Sequence, residues 1–420
     1  MIKELTIESE HLPNGWEIKT LGDITSFQRG LTYGGKDVVD FSEKIVLRAT
    51  NIDLDKSCLD FSELKYLNND FQVKQNKKVV KGSLLICLSS GSKSHLGKVA
   101  LVTDDYNYAF GGFIGQIIPD NQVISKYLFY NLISDSYKKY ISRLTDGIGI
   151  NNLKSIDLKS FEIPLPPLTE QKEIVSTLDK AFAAIEKAKA NAEQNLQNAK
   201  ELFQSYLQEV FENKEGEWKK RTLKEVCIIN PKKSEIKDLP DDYLVSFLPM
   251  KDLGIAQNQI NPIVTKKLSE VKGSYTYFKD DDILLAKVTP CFENGKLGIA
   301  RKLVNGIGFG SSEYIVFRTK GEIHSDYLFL ILSSNKFRNR GKELMFGAVG
   351  LKRLSKDYVE NFLMFLPPLD EQTKIIKKVY KLSNSVKTLK GIYTQKIADL
   401  EEMKKSILKK AFSGKLNTLN

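Results

Sequence analysis

The chain has 420 residues, enough for two domains with connecting structure rather than one core. Its hydrophobic fraction of 41% is that of a globular protein, and apolar runs such as Leu84 to Leu88 are far too short to span a bilayer, which argues against a membrane protein. Lys and Arg total 63 against 52 Asp and Glu, a formal net charge of +11, and that balance favours a polyanionic partner, because neutralised phosphates release counterions.

The opening residues, MIKELTIESEH, lack the apolar run of a signal peptide. Cys58, Cys87, Cys227 and Cys291 form no C-x-x-C pair, and His11, His95 and His324 are scattered, so no zinc signature can be assembled. Dispersed thiols suit a reducing cytosol, where most are simply buried. The expectation is a soluble, cytoplasmic protein.

A mixed segment comes first, with short β-rich runs, glycine turns and a few helices. SLLICL reads as a strand by its apolar and β-branched content, and SKYLFYNLIS as a short helix opened by Ser125. Pro166-Pro167 then force an extended chain. Thr169 stands at the expected N-cap of a long helix, with Glu170-Gln171 in a first turn whose exposed N–H groups favour acceptors. That helix carries Ile174, Leu178, Phe182, Ile185, Ala188, Ala192, Leu196, Ala199, Phe203, Tyr206 and Val210, in steps alternating between three and four as a coiled-coil seam requires. A second mixed segment follows, with EYIVFR as a strand and SDYLFLILSS as a helix opened by Ser325. After Pro367-Pro368, Asp370 caps a second long helix carrying Ile375, Val379, Leu382, Val386, Leu389, Tyr393, Ile397, Leu400, Met403, Ile407 and Ala411, with Gly391 as its one weak point. About forty-five residues at ~1.5 Å each make a rod of roughly 65 Å.

The halves repeat each other. Trp16 leads WEIKTLGDI and Trp218 leads WKKRTLKEV; KGSLLI resembles DDILLA; YLF recurs at Tyr127 and Tyr327; LPPLTEQ recurs as LPPLDEQ. Four matches in one order at a nearly constant offset indicate duplication. A narrow apolar stripe needs a partner, and each rod's obvious partner is the other, the first being acidic on balance and the second basic through Lys374, Lys377, Lys378, Lys381, Lys387 and Lys390. Chain order makes the pair antiparallel, with a domain at each end and a pseudo-two-fold axis. The expected fold is α+β: globular domains at 1–168 and 214–369, long helices at 169–213 and 370–420. Leu178, Phe182, Ile185, Leu196, Phe203, Val379, Val386, Leu389, Ile397, Leu400 and Ile407 are the expected helix-pairing residues. Pattern alone leaves a dimerisation coiled coil open, but a plain dimerisation tail needs only one copy of the globular segment.

In LPPLTEQ, LPPLDEQ and SILKKAFSGKL (Ser406 to Leu416), and in VTPCFENGKLG, FGSSEYIVFR and GLKRLSKDYVENFLMFLPP of the second half, the chain resembles the specificity subunits of type I restriction-modification enzymes along essentially its whole length. The first domain matches less sharply, having GINNLK where the second has GLKRLS. The resemblance implies two target-recognition domains, each reading half of a split double-stranded DNA sequence. It implies helices that dock two methyltransferase subunits, with restriction subunits joining the assembly. S-adenosylmethionine, ATP and magnesium would sit on those partners, and this chain would bind no cofactor or metal.

A DNA reader offers polar and basic side chains on loops. In the first domain these are Ser89, Ser90, Ser92, Lys93, His95 and Lys98 of SSGSKSHLGK, with Asn151, Asn152 and Lys154. In the second they are Lys287, Thr289, Asn294, Lys296, Lys352 and Arg353. Each could equally be a solvated loop side chain. Catalytic readings fare worse. There is no N/D-P-P-Y/F motif, since Asn261-Pro262 continues as Ile263-Val264, and no Walker A sequence. GIGFG lacks nucleotide-loop spacing, and the E-x-K triplets at Glu17 and Glu235 are expected by chance in a lysine-rich chain. Base flipping and methyl transfer would then come from a partner. A coiled-coil adaptor that binds no DNA, and more weakly a stand-alone nuclease, are the competing readings.

Overall fold

The computed structural model describes residues 12–146, 152–212, 218–260, 264–348 and 350–416. They form two compact units: residues up to 192 together with 395–420, and residues 193–394. Each unit thus holds one globular domain and part of both long helices.

In the first unit, Thr25–Arg29, Ile114–Pro119, Leu84–Cys87 and Val99–Leu101 make an antiparallel four-stranded sheet in that order. Leu84 to Leu88 are buried on both faces, which explains a continuous apolar run instead of an alternating one. A second four-stranded sheet orders Val38–Val39, Lys65–Leu67, Lys44–Leu47 and Ala109–Phe110, the last pair parallel. Glu17–Thr20 pairs antiparallel with Glu162–Leu165, so the start of the domain lies beside its end. In the second unit the corresponding sheet is Cys227–Ile229, Tyr314–Thr319, Ile283–Ala286 and Leu297–Ala300, extended by Gln257–Ile260 to five strands. A four-stranded sheet includes Ile307–Gly310, so GIGFG is itself largely strand. Lys219–Thr222 pairs with Leu363–Leu366 as its counterpart does. Of the cysteines, Cys87 and Cys227 are buried, Cys291 is half-buried and Cys58 is exposed. Burial pushes the Cys227 thiol up to about 12.

The long helices span Leu168–Glu212 and Leu369–Phe412, the second passing through Gly391 without a break. Each begins one residue before the expected cap, so Thr169 and Asp370 lie inside the helix instead of capping it. The L-P-P-L-x-E-Q repeat has a different physical basis. Gln171 is fully buried; its Oε1 accepts from the Ile124 N–H at 2.9 Å and its Nε2 donates to the carbonyls of Gln122 and Pro166 at 2.9 Å each. Gln372 repeats the clamp: its Oε1 accepts from the His324 N–H at 2.9 Å, and its Nε2 donates to Glu322 at 3.0 Å and Pro367 at 2.9 Å. Trp16 donates to Glu170 at 3.0 Å and Trp218 to Glu371 at 3.2 Å. The short helices Ser125–Leu132 and Ser325–Ser333 are therefore anchored at Ile124 and His324 by the clamps, not capped by the side chains of Ser125 and Ser325. Ser134 and Ser334 do cap, opening the next helices by accepting from the N–H of Tyr137 and Phe337.

Within each unit the two helices run in opposite directions. In the first, Glu186 pairs with Lys404 at 3.0 Å and Lys189 with Glu401 at 2.5 Å, and Leu178, Phe182 and Ile185 share a core with Leu408 and Ala411, Leu400 and Ile407 packing against it. In the second, Leu207 and Val379 share a core, with Phe203, Tyr206, Ile375 and Tyr380 against it. Val386 is buried; Leu196 and Ile397 are half-buried. Leu389 and Met403, expected on the seam, are 38% and 51% exposed, while Leu207 and Leu408, absent from the expected seam, are buried. The stripe faces a globular domain as well as a helix, so it drifts off the strict coiled-coil period. Charge plays a smaller part than expected. The Lys189–Glu401 pair runs against the acidic-to-basic sense, and Lys374, Lys377, Lys378, Lys381, Lys387 and Lys390 are all exposed.

Candidate nucleic-acid interface

In each unit one hairpin of the main sheet ends in a loop that two other segments clasp. In the first, the Leu88 N–H donates to the Phe113 carbonyl at 2.8 Å and the Leu88 carbonyl accepts from the Leu153 N–H at 2.8 Å, with Ser89 bridged to Asn152. In the second, Lys287 N–H donates to the Glu313 carbonyl at 2.9 Å, its carbonyl accepts from Leu354 N–H at 2.8 Å, and Val288 is bridged to Arg353. The backbone scaffold is the same, and it equates Leu88 with Lys287, Asn152 with Arg353, and Phe113 with Glu313. Both loops close on Gly-Lys: Gly97 and Gly295 have φ of +74° and +78°, where a side chain is strained.

The expected contact residues gather here, with different fates. In the first unit Ser92, Lys93, Asn152 and Lys154 are exposed and Ser89, Ser90 and Lys98 half-buried. Asn151 lies outside the described residues. Lys93 donates to the carbonyl of Thr145 at 3.1 Å, and Ser92 hydrogen-bonds Ser94 at 2.9 Å. Burial pushes the Lys98 ammonium down. In the second unit Asn294, Lys352 and Arg353 are exposed. Lys296 donates to the carbonyl of Met250 at 2.7 Å and Lys287 to that of Ser312 at 2.9 Å, so both ammonium groups brace the loops. The Thr289 hydroxyl accepts from Lys352 N–H at 3.0 Å and the Thr289 N–H donates to the Lys352 carbonyl at 2.9 Å.

Two residues at the centre of these surfaces were missed. Glu313, expected to open the strand EYIVFR, lies just before it; its carboxylate accepts from Arg353 Nε at 3.0 Å and Nη2 at 2.7 Å, with Lys287 Nζ 3.9 Å away. The Arg353 hydrogen bond holds its carboxyl below the usual range. Phe113, its counterpart, is 66% exposed. The repeat itself held a trace of this difference: FGGF in one half stands where FGSSE, one residue longer, stands in the other. The E-x-K triplets are otherwise engaged, Glu17 pairing with its own Lys19 at 2.8 Å and Glu235 with Arg318 at 2.6 Å and Lys279 at 3.2 Å.

Comparison with known proteins agrees with this duplicated arrangement. A family model described as the type I restriction modification DNA specificity domain matches twice, at residues 13–194 and 215–397. The chain is 27% identical over 420 residues to the type I restriction enzyme EcoKI specificity subunit of Escherichia coli (strain K12), covering 96% of this chain and 90% of the relative. It is 26% identical over 424 residues to the StySPI specificity subunit of Salmonella potsdam, with the same coverage. Among solved structures, the fold is similar to the HsdS subunit from Thermoanaerobacter tengcongensis, at a TM-score of 0.60, 19% identity and coverage of 96% and 98%. It is also similar to a chain from a study of complex assembly and conformational transition of the type I R-M system, at a TM-score of 0.74, 20% identity and coverage of 96% and 99%. With both globular segments and the adjoining helices matched, this chain belongs to the type I restriction modification DNA specificity domain family.

Proposed function

We propose that this chain is the DNA sequence-specificity subunit of a type I restriction-modification system, binding a bipartite double-stranded target with one recognition domain per half. It is a non-catalytic subunit in this reading. Two methyltransferase subunits and the restriction subunits dock on it and carry adenine methylation and ATP-dependent cleavage, with S-adenosylmethionine, ATP and magnesium bound to them. One observation carries the reading: a single backbone scaffold of three clasped segments occurs twice, with different side chains at equivalent positions, as expected of two readers of two different half-sites. No helix among the described residues is long and apolar enough to cross a membrane.

Co-expression with its methyltransferase subunit, followed by co-purification and mapping of methylated adenines, tests it. The expected product is methylation within a split motif whose two halves are separated by a spacer of fixed length. Methylation of one undivided motif, or failure to co-purify, sinks the proposal.

A further inference from the structure

Among the charged side chains of the two loop surfaces, one group is built unlike the rest. Lys287 and Lys296 donate to backbone carbonyls and act as braces. Arg353 is held instead by a carboxylate, along its Nε–Nη2 edge, in the two-bond geometry that fixes a guanidinium plane. Its backbone is fixed as well. The Arg353 N–H and carbonyl exchange hydrogen bonds with Phe346 at 2.8 and 3.0 Å, and the residues on either side bond Thr289 and Lys287. The side chain nevertheless keeps 46% of its surface exposed.

We infer that Arg353 reads a guanine in the half-site bound by the second domain, and that Glu313 is the positioning residue that aims it. This rests on the specificity-subunit reading above and adds a base to it. When the Nε–Nη2 edge of a guanidinium is occupied, the Nη1–Nη2 edge remains as a planar pair of donors. Guanine offers two acceptors at matching spacing, O6 and N7, in the major groove. A backbone phosphate is the poorer match. It needs no fixed plane, and the Glu313 carboxylate about 3 Å from the guanidinium offsets part of the pull that Arg353 exerts on an anion, whereas the neutral acceptors of a base edge depend on the fixed plane instead. Phe346 and Leu351, 62% and 61% exposed beside Arg353, suit a base edge better than a hydrated phosphate. At the equivalent places the first domain has Asn152 and Phe113, so it carries no such pair and serves as an internal control.

The experiment maps adenine methylation by the complete chain assembled with its methyltransferase subunit, comparing wild type with Arg353→Ala, Arg353→Lys and Glu313→Gln. Arg353→Lys keeps the charge but not the two-donor edge, and decides alone if Arg353→Ala fails to assemble. The expected result is a guanine required at one position of one half-site in the wild type. Both arginine variants lose that preference by roughly 5- to 150-fold, the range of one bidentate base contact, with the other half-site unchanged. Glu313→Gln relaxes the same position by a smaller factor, a shift that a merely structural role would not produce. An unchanged motif in Arg353→Lys, or an even loss of methylation across all sites in an assembled complex, overturns the inference. A wild-type enzyme that methylates no split motif overturns the specificity-subunit reading instead.

Discussion

Gln171 and Gln372 show how much one side chain can decide. Each satisfies three backbone groups from a fully buried position, tying the start of a long helix to the start of a short one. Replacing Gln171 with Leu orphans the Ile124 N–H and the carbonyls of Gln122 and Pro166 around a fully buried side chain. The expected loss is about 2–4 kcal/mol, read as a lower denaturant midpoint for the transition that reports on the first unit. Gly97 makes a second case. Its φ of +74° disfavours any side chain, and a Cβ there would lie 2.8 Å from the Ile141 side chain, so Gly97→Ala is expected to cost about 1–3 kcal/mol by the same measurement. Glutamine after L-P-P-L-x-E was visible in the sequence as a repeat, but two of its three partners lie on a segment 47 to 50 residues away, and no local rule names those.

At the scale of elements, the packing of the long helices departs from a plain coiled coil in a way that can be measured. Leu408 is 4% exposed within the first unit's core, and Leu408→Ala is expected to cost roughly 2–5 kcal/mol. Leu389 is 38% exposed, and Leu389→Ala is expected to stay within about 0.5 kcal/mol of wild type. A strict coiled-coil seam predicts the reverse ranking, so thermal or chemical denaturation of the two variants separates the alternatives. The contacts between short and long helices also diverged while keeping their place. In the first unit Lys126 and Tyr130, on the short helix, donate to Asp179 on the long one. In the second, Asp326 on the short helix accepts from Tyr380 on the long one at 2.5 Å, with Arg301 completing the pair at 2.5 Å. Donor and acceptor have changed sides, and the part-buried hydrogen bond survives.

For the whole molecule, each unit's separate core implies separable readers. Exchanging residues of roughly 1–165 for the corresponding domain of a relative leaves Leu178, Phe182 and Ile185 in place to pack against Leu408, so the hybrid is expected to fold. Its methylation map should differ from wild type in one half of the target only; a change in both halves contradicts the two-reader account. DNA affinity is expected to fall steeply with salt, each neutralised phosphate adding about −0.9 to the slope of log K against log salt concentration. A flat response, measured by titration at several salt concentrations, would favour an adaptor that binds no DNA.

Composition, the internal repeat and the proline-led apolar stripes were enough to determine that there are two related domains and two long helices, because duplication and periodicity are written in one dimension. The direction of helix pairing also followed from chain order, although the charge bias offered in its support contributes little: the interhelical ion pairs are solvent-screened and worth only about 0.2–1 kcal/mol each. Residue-level function was less legible. Lysines on a loop look alike in a sequence, and only the fold shows Lys287 and Lys296 spent on carbonyls of neighbouring loops while Arg353 is held outward by Glu313. Glu313 and Arg353 are forty residues apart and meet because a strand end and a returning segment clasp the same hairpin, a juxtaposition set by tertiary structure rather than by any local propensity.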